Sequence, residues 1–158
     1  MLAYIGLGGN LGDSLTIFHQ VIEDLNAHSE VQIQKVSSFY RTQPLDNADQ
    51  PEYLNAVLSL ETELSPHQLL DLLQGLENKY GRQRTDKRWD SRTLDLDILL
   101  YGEQRISDNR LQIPHRELAH RDFVIFPLYE IAPQLQIPGL GSLEDLQSRC
   151  ENRGMKKL

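Results

Sequence analysis

Three observations in the sequence predict an α+β domain with a ferredoxin-like βαββαβ core. As far as Tyr101, hydrophobic residues repeat at strand and helix spacings in the order strand, helix, strand, strand, helix, strand. Both helical stretches carry a single apolar stripe, which suits two helices packed on one face of an antiparallel-rich sheet. Positions 102 to 158 remain, and part of them must cover the second sheet face. The expected architecture is therefore three layers, α/β/α.

Leu2 to Leu7 is a short apolar run that leads into Gly6, Gly8, Gly9, Asn10 and Gly12, read as a buried strand entering a glycine-rich turn. The turn spells GLGGNLG, which misses a dinucleotide fingerprint by one position and lacks the repeated strand–helix units of a dinucleotide fold. It is read as structural or as a ligand-facing loop. From Asp13 or Ser14, either one an N-cap, Leu15, Phe18, Val21, Ile22 and Leu25 repeat at helical spacing. Val31, Ile33 and Val36 form a second strand whose phase slips near Lys35, as at a bulge. That strand continues through Tyr40 into a long polar loop containing Pro44 and Pro51, of a length that is often functional.

Tyr53 to Thr62 alternates, with Leu54, Ala56, Leu58 and Leu60 on a core face and Tyr53, Asn55, Val57 and Ser59 opposite. Ser65-Pro66-His67-Gln68 is a capping box with proline at the first helical position, followed by an apolar stripe of Leu69, Leu70, Leu72, Leu73 and Leu76 and a C-cap at Gly81. Gln74 and Glu77 share another face of that helix. After Tyr101 come a hairpin around Ser107-Asp108-Asn109, a strand from Arg110 to Ile113, and helical material from Glu117 to Ile131 interrupted by Pro127. Gln134 to Gly141 reads as irregular, a last helix starts at Ser142 with Leu143 and Leu146 inward, and Arg153 to Leu158 reads as a frayed end.

The densest chemistry lies between Arg82 and Tyr101. Arg82, Arg84, Lys87, Arg88 and Arg92 are five of the chain's 16 Lys and Arg residues, in a protein of net charge −7. The strand that follows alternates, so Leu94, Leu96, Ile98 and Leu100 are expected on one face and Thr93, Asp95 and Asp97 on the other. The two carboxylates are then roughly 7 Å apart between Cα atoms, an arrangement that repels itself unless a cation sits between them. A hard divalent ion suits the pair, since Mg²⁺ takes a few carboxylates together with water and phosphates. Guanidinium groups grip phosphate oxygens in a planar fork. A solvated loop neutralised by its neighbours accounts for the arginines alone; the same-face acids directly after them point instead to a metal-plus-polyphosphate site.

Composition narrows the partners. The 39% hydrophobic and 25% charged content is that of an ordinary globular protein, and 158 residues suit one domain. No apolar run is long enough to span a membrane, and the N-terminus lacks the features of a signal peptide. One cysteine, Cys150, excludes an internal disulfide and suits a cytoplasmic location. A pI near 5.2 argues against a nucleic-acid partner, because the positive charge is local.

The segments YIGLGGNLGD, SSFYRTQPL, QPEYLNAV, RTLDLDILLYG and PHRELAHRDFVIFPLYEIAP together resemble the 6-hydroxymethyl-7,8-dihydropterin pyrophosphokinase family over nearly the whole chain. That resemblance implies a ferredoxin-like α/β/α enzyme of folate biosynthesis. It moves a pyrophosphoryl group from ATP to the pterin hydroxymethyl oxygen and releases AMP. By the same resemblance Asp95 and Asp97 are ligands of two Mg²⁺ ions, and Arg82 and Arg92 stabilise charge during transfer. Arg84, Arg88 and Trp89 belong to a closing loop. Gln74, Glu77, Ile98, Arg110, His115 and Arg121 lie on the nucleotide side. Tyr53 and Phe123 sandwich the pterin, and Thr42, Leu45 and Asn55 read its edge. A cytoplasmic monomer acting on small molecules is expected.

Four positions depart from the family pattern: Gly9, Gln43, Asp90 and Asp122. Asp90 matters most, because an extra carboxylate within the loop opposes phosphate binding. It is also the feature that favours a catalytically silent nucleotide-binding regulator. Among enzymes the rival is a Mg²⁺-dependent nucleotidyltransferase with a paired-aspartate palm. An RNA-binding module is disfavoured, because its sheet face would carry Asp95 and Asp97.

Overall fold

In chain order the elements are β1 (Leu2–Asn10), α1 (Ser14–Ala27), β2 (Val31–Val36), β3 (Tyr40–Thr42), β4 (Tyr53–Thr62), α2 (Pro66–Tyr80), β5 (Asp95–Tyr101), β6 (Ile106–Ser107), β7 (Gln112–Ile113), a 3-10 turn (Leu118–His120), α3 (Asp122–Ile131), β8 (Gln136–Ile137), β9 (Gly141–Ser142), α4 (Leu143–Ser148) and β10 (Lys156–Lys157). This computed structural model describes residues 1–10, 14–42, 52–80, 94–152 and 154–158. The Asp13 cap, the Gly81 cap and the loop with Pro44 and Pro51 lie outside the described residues.

The main sheet is antiparallel, in the order β5, β1, β4, β3, β10, with β2 also paired to β4. The first strand therefore lies between β4 and β5, the two strands that flank α2 in the chain, and the α+β expectation holds. Ala3, Ile5, Leu7, Leu54, Leu58, Leu96 and Ile98 point to one layer, where they meet Ile17, Phe18, Val21 and Leu25 of α1 and Leu69, Leu73 and Leu76 of α2. Tyr4, Val57, Leu99 and Leu100 point to the other, against Val124, Ile125, Leu128 and Ile131 of α3 and Leu143 of α4. The sheet is thus a shared wall between two apolar cores, as the three-layer expectation required.

Several local expectations are met in detail. Ser65 and Gln68 cap α2 reciprocally: the Ser65 N–H donates to Gln68 Oε1 at 2.9 Å, and the Gln68 N–H donates to Ser65 Oγ at 3.2 Å. The phase slip in β2 is a register shift between Ile33 and Lys35 opposite β4. The hairpin around Ser107 forms from β6 and β7. Ser142 caps α4, accepting from the Asp145 N–H at 3.1 Å.

Four expectations are corrected. β1 continues through Gly8, Gly9 and Asn10 instead of turning at the glycines, because it stays paired there: Gly8 lies between Asn55 of β4 and Asp95 of β5, and Gly9 and Asn10 pair with Leu54 and Tyr53 of β4. Leu100 faces the α3 layer, not the layer of Leu96 and Ile98. The register between β1 and β5 shifts at Tyr4/Ile5, so Leu99 is an extra residue and the alternation slips by one. Residues 134–141 are not wholly irregular: β8 and β9 pair across a turn, and Gly139 in that turn and Gly141 at the start of β9 take φ of +77° and +90°. The C-terminus does not fray. β10 pairs with β3, the Leu158 N–H donates to the Phe39 carbonyl at 2.9 Å, and Met155 is buried. An edge strand with unpaired backbone groups is a natural docking place for such a segment.

Candidate active site

A cleft of about 330 Å³ opens on the α3 side of the sheet, at the end where α3 stops covering it. Its floor is β1. Gly8 lies between Asn55 of β4 and Asp95 of β5, and Gly6 lies between Val57 and Asp97. Residues directly across an antiparallel pair share a face, so the acids, the glycines and the carboxamide form one continuous surface. Thr42, which pairs with Tyr53, closes one side, and Arg121, Phe123 and Val124 from the start of α3 close another.

Of the residues singled out from the sequence, Thr42, Tyr53, Asn55, Asp95, Asp97, Arg121 and Phe123 all line this cleft. Asn55 is buried while Tyr53 is 39% exposed, as suits a polar reader beneath an aromatic rim. Arg121 sits over the Phe123 ring, its guanidinium carbon 5.4 Å from the ring centroid, and is tethered to Glu117 at 3.3 Å. His115 Nε2 stands 3.8 Å from Asp97 Oδ1, too long for a hydrogen bond but close enough for charge to be felt.

The state of His115 follows from its contacts. Burial pushes the imidazole below its ordinary range; the Asp97 carboxylate opposes that shift, and Arg121 reinforces it. Burial therefore favours the neutral ring. Its Nδ1 accepts the Glu117 N–H at 3.2 Å, which leaves the ring proton on Nε2, the nitrogen facing Asp97. A neutral donor beside Asp97 can serve an anion without competing with a cation for that carboxylate.

Three residues expected on the nucleotide side follow the outer edge of β5 instead of the cleft. Glu77 Oε2 accepts the Leu96 N–H at 2.9 Å, which satisfies a backbone donor at the sheet edge. Gln74 Oε1 accepts from Arg110 at 3.3 Å, and the same guanidinium pairs with Asp71 at 2.6 Å. Ile98 is 3% exposed and its side chain packs in the α1/α2 layer, away from the cleft. Arg82, Arg84, Arg88, Trp89, Arg92, Leu45 and Asp90 lie outside the described residues.

Sequence reasoning missed the glycine floor and Leu99. The signal for the floor was present: Gly6 and Gly8 alternate with Leu7, the period-2 pattern of a strand with one bare face, where a ligand can approach the backbone closely. Leu99 follows Asp95 and Asp97 at the same period of two, so plain alternation marked it for the cleft face; what the local sequence does not mark is the bulge that turns Leu100 to that side as well.

Among the described residues no group of three or more His, Cys, Asp or Glu is gathered into a cage. The two half-exposed carboxylates share a face and leave the remaining coordination positions to other oxygen donors. That fits Mg²⁺, which retains waters and accepts phosphates, and does not fit zinc, which needs a closed nitrogen or sulfur set.

The chain matches the family model for 7,8-dihydro-6-hydroxymethylpterin-pyrophosphokinase (HPPK) over residues 4–133. It is 46% identical to the 2-amino-4-hydroxy-6-hydroxymethyldihydropteridine pyrophosphokinase of Haemophilus influenzae, over 99% of this chain and 97% of that protein. It is 41% identical to the protein of the same name from Pseudomonas aeruginosa, over 98% and 95%. Among solved structures it resembles Plasmodium falciparum HPPK-DHPS with pteroate, at a TM-score of 0.73 and 13% identity, a likeness of fold alone. The alignment covers 94% of this chain and 42% of that one, so the chain spans less than half of the longer protein.

Proposed function

The chain belongs to the 7,8-dihydro-6-hydroxymethylpterin-pyrophosphokinase family, and from that premise we propose how its cleft carries out pyrophosphoryl transfer from ATP to 6-hydroxymethyl-7,8-dihydropterin in folate biosynthesis. In this reaction the pterin hydroxyl oxygen bonds to the β-phosphorus of ATP and loses its proton. The bond from that phosphorus to the α,β-bridging oxygen breaks, leaving AMP and the pterin diphosphate.

The observation that carries the reading is one face of one sheet, with paired acids at one end and an aromatic and a carboxamide at the other. Asp95 and Asp97 fit two Mg²⁺ ions, which when bound neutralise the triphosphate and ease loss of the hydroxyl proton. Tyr53 and Phe123 offer flat surfaces for a heteroaromatic ring, where burial and dispersion both favour stacking. Asn55 supplies a donor and an acceptor to the ring edge, and Thr42 and Leu45 complete that wall. Positioning dominates such transfers, because the protein does little covalent chemistry.

His115 and Arg121 face the phosphate end and give it one neutral and one charged donor. Gln74, Glu77, Arg110 and the Ile98 main chain flank the strand edge, on the nucleotide side. Arg82 and Arg92 are assigned to charge stabilisation during transfer, and Arg84, Arg88 and Trp89 to closure over the substrates and exclusion of water. Residues 1–158 act as one catalytic domain, monomeric and cytoplasmic, with no nucleic-acid or membrane partner. No helix among the described residues is long and apolar enough to cross a membrane.

Incubation with ATP, Mg²⁺ and 6-hydroxymethyl-7,8-dihydropterin is expected to yield AMP and the pterin diphosphate. Release of inorganic pyrophosphate instead identifies nucleotidyl transfer and overturns the proposal. A nucleic-acid titration without binding disposes of the RNA-module alternative.

A further inference from the structure

The aromatic end of the cleft is built from two separate parts of the chain. One wall is α3, which carries Phe123 and Val124 at its start; the other is β3 and β4, which carry Thr42, Tyr53 and Asn55. Nothing in the sheet hydrogen bonding joins these walls. Apolar packing of Val57 on α3 does, and among the described residues a polar side chain adds a hydrogen-bonded tie. Glu130, near the far end of α3, reaches across to the segment that leads into β3. Its Oε2 accepts the Ser38 N–H at 2.8 Å and the Ser38 hydroxyl at 3.0 Å, and its Oε1 accepts the Tyr40 hydroxyl.

The register makes this contact matter at the cleft. Tyr40 pairs directly with Asn55, and Thr42, two residues on, pairs with Tyr53. Tyr40, Thr42, Asn55 and Tyr53 therefore share the cleft face of the sheet. From the outer side β10 holds the same strand: Lys156 pairs with Arg41 and Lys157 with Tyr40, and the Lys157 ammonium stands 4.0 Å from Glu130 Oε1. β3 is only three residues long, too short to hold its own register firmly, and the chain between Ser37 and β3 makes a break in the strand. Ser37 ties that break to Val57 through its backbone N–H and its hydroxyl, and Glu130 ties it to α3.

We propose that Glu130 is a positioning residue for the pterin end of the site: by gripping Ser38 and Tyr40 it sets the spacing between the Phe123 wall and the Tyr53–Asn55 wall. The inference rests on the functional reading above and deepens it. Glu130 touches no substrate. Its removal leaves Asp95, Asp97, His115 and Arg121 in place, so the effect falls on one ligand and spares the other. Misplacement of a positioning contact far from the chemistry is costly to a rigid flat ligand because stacking needs a fixed gap.

The test uses the full chain with Mg²⁺. A non-hydrolysable ATP analogue is titrated first, and 6-hydroxymethyl-7,8-dihydropterin is then titrated at a saturating level of the analogue. Glu130→Ala is expected to weaken pterin binding about tenfold while analogue affinity stays within about twofold. Glu130→Gln, which keeps one acceptor oxygen, is expected to recover part of the loss. Pterin affinity within about twofold of wild type in a folded Glu130→Ala chain overturns the proposal, as does equal weakening of both ligands, the mark of general loosening. If Glu130→Ala does not fold by circular dichroism, Tyr40→Phe decides, since it deletes a single hydroxyl. A selective loss for pterin supports the proposal, and unchanged binding overturns it. A wild-type chain that binds the analogue but no pterin sinks the functional reading, and the inference with it.

Discussion

On one side of β5, Leu94, Leu96 and Ile98 are at most 4% exposed beneath the two long helices. On the other side of the same strand the Asp97 side chain is 43% exposed and Asp95 is half-buried. The difference comes from the length of cover. α1 and α2, of 14 and 15 residues, run the length of the first face, whereas α3 has 10 and ends its cover before the strand does. Where cover is complete, each buried aliphatic side chain contributes about 1.5–3 kcal/mol. Where it stops, the sheet tolerates a like-charge pair and bare glycines, features that weaken a strand and suit a ligand. Stability and chemistry should therefore separate by face.

The sharpest way to break that separation is Asp97→Ala. It is expected to lower turnover at least about a thousandfold, with the thermal midpoint unchanged or slightly raised because a like-charge repulsion is gone. AMP release at saturating Mg²⁺ measures the first, and a near wild-type rate there removes the metal assignment. Leu73→Ala, on the covered face, is the converse. Leu73 is fully buried in the α1/α2 layer, so urea unfolding should show a loss of about 2–5 kcal/mol, with turnover per folded molecule unchanged. A large drop in turnover at full folding would show that the two faces are coupled.

How far this division was legible in the sequence depended on whether a feature was local. Period-2 alternation placed Leu54, Leu58, Leu96 and Ile98 on one face and Asn55, Asp95 and Asp97 on the other, because a strand's side-chain direction is set by its own backbone. The Ser65–Gln68 box was readable for the same reason. The bulge at Leu99 was not, since it depends on what β1 presents opposite, and its consequence was the misplacement of Leu100. β10 was read as a frayed end because two lysines carry no strand signal; their pairing is decided by the edge of β3, more than a hundred residues earlier in the chain. The Glu130 contact is of the same kind. Within the candidate site, Gly6 and Gly8 were seen but taken for a turn, because glycine commonly marks a chain reversal and only a partner on each side shows otherwise.

A smaller effect concerns acid. Burial opposes ionisation of Glu130, but the hydrogen bonds from Tyr40 and Ser38, with Lys157 nearby, outweigh it and hold the carboxyl below its ordinary range. A depressed carboxylate stabilises the folded state above its unfolded value, near 4.3, and that contribution is lost as pH falls through the folded value. Since 28% of the side chain is exposed, the contribution at pH 7 is discounted to about 1 kcal/mol. Urea unfolding of wild type and Glu130→Gln should differ by that amount at pH 7 and converge once the pH has fallen through the depressed folded value. A difference that persists undiminished in acid would show that the charge is not what matters.

The smallest expected change sharpens the comparison most, because its two consequences have opposite signs. Gly8 has no positive φ, so alanine there suits the extended backbone. By restricting the unfolded chain, Gly8→Ala should leave stability unchanged or raise it by up to about 0.5–1 kcal/mol. The new methyl, however, would stand 3.2 Å from Asn55 Oδ1, closer than such contacts comfortably allow, and Asn55 is buried with little room to retreat. A shift of a few tenths of an ångström tilts the carboxamide proposed to read the pterin edge and would weaken its hydrogen bonds, an expected loss of roughly threefold in pterin affinity on the scale of a fraction of one hydrogen bond. ATP-analogue affinity should not move. Thermal melting and the two titrations read these effects separately. A variant that is both less stable and unaltered toward pterin would show that Gly8 is an ordinary weak point in a strand; a more stable variant with impaired pterin binding would show that the bare floor is kept for the ligand at the expense of the fold.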